Sequence, residues 1–222
     1  MKKQLISVLT TVLIVAGAFS IVSATPFRFD TDPFEGTTAL TDPGRDIVGG
    51  ETFINFNIAS DIFSLESTVF NAGNQVFFAN DVVGNLPTSG KNVIVLQTFD
   101  DDNDPVTGFG AGNAASLIAD QITSEGAGFF IYFNSGLNLP RLVYSTDLDD
   151  NTADLKVLFR MENLTDQGGR DAIPTFTESN FEITTNPVPE PATFLLFGTG
   201  LIGVLAGFRR KDKFRAKKEV AS

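Results

Sequence analysis

Apolar residues are arranged in three ways along the chain. Residues 5–22 form one apolar run interrupted only by Ser and Thr, and residues 192–208 form a second, broken only by Thr and Gly. Between them, short runs of β-branched and aromatic residues recur between turn signals, the pattern of strands rather than helices. These runs predict strands at 52–58, 75–78, 92–99, 129–133, 141–145, 155–162 and 180–184. In the first, Ile54, Phe56 and Ile58 alternate with Phe53, Asn55 and Asn57, which gives one apolar and one more polar face. Val93-Ile94-Val95-Leu96 and Phe129-Phe130-Ile131-Tyr132-Phe133 are continuously apolar, so they are expected to be central strands covered on both faces. Turns rich in Gly, Asn, Asp and Pro fall at 42–44, 86–90, 134–136 and 167–169. One helix is predicted over 114–122, capped by Asn113, with Leu117, Ile118 and Ile122 near one face. Residues 25–50 lack a periodic pattern and read as an extended arm that Phe27, Phe29 and Phe34 dock on a sheet. Met161 reads as core. No repeat recurs at a constant period. The fold class expected is mainly β: an antiparallel β-sandwich with one short helix, flanked by an N-terminal signal helix and a C-terminal transmembrane helix.

The two apolar runs carry addresses. Lys2 and Lys3 precede the first, and it ends Val22-Ser23-Ala24, small residues of the kind a signal peptidase reads. Residues 1–24 therefore read as a secretory signal peptide, cleaved after Ala24. The second run follows the proline-rich stretch Pro187-Val188-Pro189-Glu190-Pro191 and is followed by Arg209-Arg210-Lys211. Residues 192–208 sit at the short limit of the roughly 17–25 residues a membrane helix needs. Their glycines suit a membrane helix better than a soluble one, and the basic cluster behind them places the C-terminus in the cytoplasm. Both ends agree on one topology, with residues 25–186 exported across the inner membrane as a single acidic β-rich domain.

Val188-Pro189-Glu190-Pro191, a short apolar helix and then Arg209-Arg210 together resemble the PEP-CTERM sorting signal of Gram-negative bacteria, over residues 187–211. The resemblance implies recognition by exosortase, a membrane-embedded cysteine protease or transpeptidase, with the tail removed near the motif. It implies release or transfer of the protein to the cell surface, and an association with exopolysaccharide and biofilm systems. Chains of that family commonly stop soon after the Arg pair, whereas here a charged tail, residues 212–222, continues. The resemblance assigns no activity to residues 25–186.

Composition narrows the chemistry. The chain of 222 residues has no Cys, no His and no Trp. Disulfides, thiolate catalysis, Ser-His-Asp triads, HExxH zinc sites and Cys- or His-ligated metals are excluded. Residues 25–190 carry 7 basic and 25 acidic groups, a net of −18, which repels nucleic acid. Hydrophobic content of 42% argues against disorder.

Two acidic stretches are candidate calcium sites. Asp100, Asp102 and Asp104 have the opening spacing of an EF-hand loop, but Pro105 replaces the turn Gly and Ala111 stands where the closing Glu belongs. Asp147, Asp149 and Asn151 repeat the spacing, again without a closing Glu. An EF-hand is rejected for both; a looser calcium site competes with the simpler reading of solvated acidic turns. Gly108-Phe109-Gly110-Ala111-Gly112 lacks the spacing and partner of a phosphate loop, no SxxK motif is present, and the sequon Asn163-Leu164-Thr165 is incidental in a bacterial chain. The sequence therefore points to a non-enzymatic cell-surface or matrix protein without an obligate cofactor. Its partners are a signal peptidase, an exosortase-type enzyme, the inner membrane through residues 192–208 and exopolysaccharide. The alternative is a secreted hydrolase using two carboxylates on polysaccharide. The absence of Trp, and the presence of only Tyr132 and Tyr144, argue against a sugar-cleaving cleft.

Overall fold

The computed structural model describes residues 26–104 and 106–185. The signal-peptide, sorting-motif and membrane-helix readings, with Ala24, Val188, Pro189, Glu190, Pro191, Arg209 and Arg210, lie outside these residues. In chain order the elements are β1 (Pro26–Phe29), β2 (Ile47–Val48), β3 (Thr52–Ile54), β4 (Ile62–Glu66), α1 (Ser67–Phe70), β5 (Phe78–Asp81) and β6 (Val93–Leu96). They continue with α2 (Ala111–Ala119), β7 (Gly128–Asn134), β8 (Leu139–Ser145), β9 (Leu155–Met161), α3 (Asp166–Ala172) and β10 (Phe181–Thr184).

The domain is mainly β, with two sheets and few helices. A three-stranded sheet has the order β1-β4-β10, and a larger one the order β2-β9-β8-β7-β6-β5, with β3 also pairing β9. The expected antiparallel arrangement holds only for β7-β8-β9; every other pairing is parallel. The physical reason lies in the connections. Parallel neighbours need a crossover rather than a hairpin, and residues 97–127, which hold α2, carry the chain from β6 back to start β7 alongside it.

The larger sheet is covered on both faces. On one face Val93, Val95, Phe129, Ile131, Leu142 and Phe159 share a core with Phe63, Leu65 and Phe181 of the small sheet. On the other, Ile94, Leu96, Phe130, Tyr132, Val143 and Val157 pack with Ala111, Ala114, Ala115 and Ile118 of α2. This double cover is why β6 and β7 are apolar at nearly every position, and both are buried throughout, as their sequences predict. Tyr144 is the polar exception inside the first core: its hydroxyl donates to the Phe70 carbonyl at 2.7 Å, and burial pushes the phenol up to about 12.

Several local readings shift. The alternation at 53–58 is as expected, with Ile54 and Phe56 buried and Phe53, Asn55 and Asn57 exposed, but pairing stops at Ile54. The predicted strand at 75–78 lies instead at Phe78–Asp81. The helix starts three residues earlier than predicted. Asn113 is therefore inside its first turn, where its Oδ1 accepts the Gly110 N–H at 3.0 Å. The arm at 25–50 does dock through Phe27, Phe29 and Phe34, but its start is a true strand, β1. The glycine-rich turn predicted at 167–169 lies within α3. A Cβ on Gly169 would sit 2.3 Å from the Leu164 carbonyl oxygen, so close backbone approach rather than turn formation explains this glycine.

Candidate functional site

The two acidic stretches are loops closed by their own side chains. Asp100 Oδ1 accepts the N–H groups of Asp102 and Asn103, each at 3.1 Å. Asp102 Oδ1 accepts the Asp104 N–H and the Thr107 hydroxyl at 2.9 Å, and Asp104 Oδ1 accepts the Val106 N–H at 3.0 Å. The hydrogen bonds from the Asp104 N–H and Thr107 hold the Asp102 carboxyl below its ordinary value. Carboxylate oxygens of Asp100, Asp101 and Asp102 lie within 4.8 Å of one another, so the structure brings two of the three predicted ligands together, with Asp101 in place of Asp104.

In the second stretch the side chains of Asp147 and Asp149 hydrogen-bond to each other, and among the described residues the one group of three acids whose oxygens lie within 4.8 Å of one another is in the first. Asp147 Oδ1 accepts from the N–H groups of Gly126 (2.9 Å) and Asp149 (3.3 Å). The hydrogen bond to Asp147, then partial desolvation and the negative charges of Asp147, Glu125 and Asp150, raise the Asp149 carboxyl. Asp150 accepts instead from Thr152, and Asn151 is exposed. Asp154 is buried, and its two oxygens accept the N–H groups of Leu40 and Asp46, each at 2.7 Å, so it pins the arm to the sheet. One oxygen each of Asp100, Asp102, Asp104, Asp147 and Asp150 is engaged by backbone N–H groups of its own or an adjacent loop. The expected result is that melting temperatures in excess Ca²⁺ and in chelator coincide; a rise in Ca²⁺ would establish a native-state calcium site, since such a ligand must stabilise.

A different cluster is assembled only by the fold. The register places Phe53 opposite Arg160, Arg160 opposite Arg141 and Arg141 opposite Tyr132, a row across β3, β9, β8 and β7. Two arginines directly opposite each other repel. The counter-charge comes from Glu51. Between Val48 and Thr52 lie three residues that face only two on β9, so the edge carries an extra residue. Gly50 takes φ +83° in this bulge, a conformation that favours glycine.

Glu51 emerges from the bulge with its side chain only 7% exposed. Its Oε1 accepts Arg141 Nη2 at 2.6 Å and Arg160 Nη2 at 2.7 Å. Burial alone would raise the Glu51 carboxyl. Its own backbone N–H and the two guanidiniums outweigh that and hold it below the ordinary 4.5. Arg141 Nη1 also donates to the Tyr132 hydroxyl at 3.4 Å, which accepts Asn134 Nδ2 at 3.0 Å. The Arg160 guanidinium lies 4.6 Å from the centroid of the exposed Phe53 ring. The sequence signal for this cluster is two arginines inside mainly apolar strands, Leu139–Ser145 and Leu155–Met161, the second of which also carries Lys156; nothing local links them to Glu51.

The described domain is thus an acidic, mainly β module in which Glu51, Arg141 and Arg160 form a largely buried ion cluster. The segment beyond it identifies how the protein is handled: residues 187–211 match the PEP-CTERM protein-sorting motif. The motif implies an exported protein, anchored through its C-terminal signal before processing by an exosortase-type enzyme. No family model matches the central domain, and no curated protein or solved structure matches the chain. Among the described residues no helix is long and apolar enough to cross a membrane.

Proposed function

We propose that this is a non-enzymatic protein of the cell surface or extracellular matrix, delivered by its sorting tail, whose domain associates with exopolysaccharide. The observation that carries this reading is the sorting motif at residues 187–211. The absence of His and Cys and the self-closed acidic loops support a binding rather than a catalytic role. Residues 185–191 separate β10 from the apolar run, and seven residues reach at most roughly 25 Å. Until the tail is cut, the domain stays beside the bilayer; any role in the matrix requires cleavage.

The test is the intact mass of the protein recovered from its native host, from membrane and medium separately. The expected product has lost residues 1–24 and the segment beyond Val188-Pro189-Glu190-Pro191. A Glu190→Ala variant should remain in the membrane with residues 192–222 attached. Wild-type protein that keeps residues 192–222 and is found only in the membrane would overturn the sorting. Turnover on a polysaccharide panel, abolished by single Asp→Asn changes, would replace the binding role with a hydrolase.

A further inference from the structure

The geometry points to the row Phe53–Arg160–Arg141 as a binding site for a single carboxylate carried on a sugar ring, an inference that rests on the polymer-association reading above and names its ligand. Charge is the first reason. Two guanidiniums share one carboxylate oxygen, so the cluster keeps a net +1, and among the described residues neither arginine has another ion pair. An uncompensated charge in a partly buried site is costly, and a bound anion removes that cost.

Unspent hydrogen bonding is the second. A guanidinium has five N–H donors. Arg160 spends one on Glu51, Arg141 one on Glu51 and one on Tyr132, and the buried Nε of each has no partner. Glu51 holds both groups in fixed orientation, while their side chains stay 14% and 24% exposed, which leaves terminal N–H groups for an oxyanion.

The neighbouring ring is the third. Phe53 is 58% exposed and packs against Arg160, so it offers an apolar ring face immediately beside the positive charge. A hexuronate ring fits both features, its C–H face on Phe53 and its carboxylate on the arginines. The surrounding net charge of −18 repels densely charged polyanions at long range, which favours an isolated uronate over a polyphosphate or polysulfate.

The experiment titrates the mature protein from its host, at fixed pH and ionic strength, with glucuronate, glucose and inorganic phosphate, read by calorimetry. Glucuronate is expected to bind, with glucose and phosphate each at least about tenfold weaker. Arg160→Gln should abolish glucuronate binding. Phe53→Ala, at an exposed position that does not threaten folding, should weaken it several-fold with the melting temperature unchanged. Absence of glucuronate binding, equal binding of glucose or of phosphate, or an unaffected Phe53→Ala variant would each overturn the site. Sorting is read separately from the intact mass, so a correctly processed protein that ignores glucuronate removes the ligand and leaves the trafficking in place.

Discussion

Phe63→Ala is expected to destabilise the domain by about 3–5 kcal/mol, the range for deleting a fully buried Phe side chain. Phe63 lies on β4, the central strand of the small sheet, and has no exposed surface. Its ring stacks on Phe56 at 4.2 Å and 4°, and contacts Phe159 of the larger sheet at 5.4 Å and Phe181 of β10 at 5.7 Å. These rings come from four separate segments, so no single side chain can relax into the void, and the cavity term adds to the lost burial. Against a total stability of about 5–15 kcal/mol for a typical domain, this is a large fraction. Equilibrium urea unfolding measures it, with Phe77→Ala as the control. Phe77 is 52% exposed and should cost under about 0.5 kcal/mol. Similar losses for both variants would show that the small sheet is not packed on the larger one through Phe63.

Glu51→Gln should cost about 3–5 kcal/mol at neutral pH, because it breaks a buried ion cluster and leaves two opposed guanidiniums without their counter-charge. The amide keeps the volume, so the loss reports charge rather than a cavity. The pH dependence has a definite sign. The folded-state Glu51 carboxyl is held below its ordinary 4.5, so its contribution is complete above that value and disappears as pH falls through the lower folded value. The stability difference between wild type and Glu51→Gln should therefore be constant from neutral pH down to the ordinary carboxylate range, then shrink on further acidification. Taking the difference removes the other acidic groups, which titrate in both proteins. A difference that stays constant into strong acid, or one below about 1 kcal/mol at neutral pH, the level of an exposed pair, would mean the cluster is effectively solvated.

The calcium reading shows how far local spacing carries. Asp100 and Asp102 do lie close together, because residues two apart in a tight loop must, but Asp104 turns to the Val106 N–H and Asp101 takes its place in the group. In the sequence Asp154 is only one more acid close behind Asp147, Asp149 and Asn151. Its role is to hold Leu40 and Asp46, more than a hundred residues away in the chain, and no spacing rule reports that.

What the chain determines by itself is what depends on neighbours in sequence. The two-residue alternation at 53–58 sets which side chains face inward, because successive side chains on an extended backbone point to opposite sides. The apolar runs of β6 and β7 mark the strands covered on both faces, and the sorting motif is legible because it is read as a linear signal. Tertiary structure alone decides strand direction, register and the ion cluster. Parallel pairing depends on where the crossover at 97–127 returns the chain, and the Glu51–Arg141–Arg160 contact depends on the Arg141–Arg160 register and on one extra residue in the β2–β3 edge. Glu51 lies 90 and 109 residues from its two partners, so only the folded sheet brings them within hydrogen-bond reach.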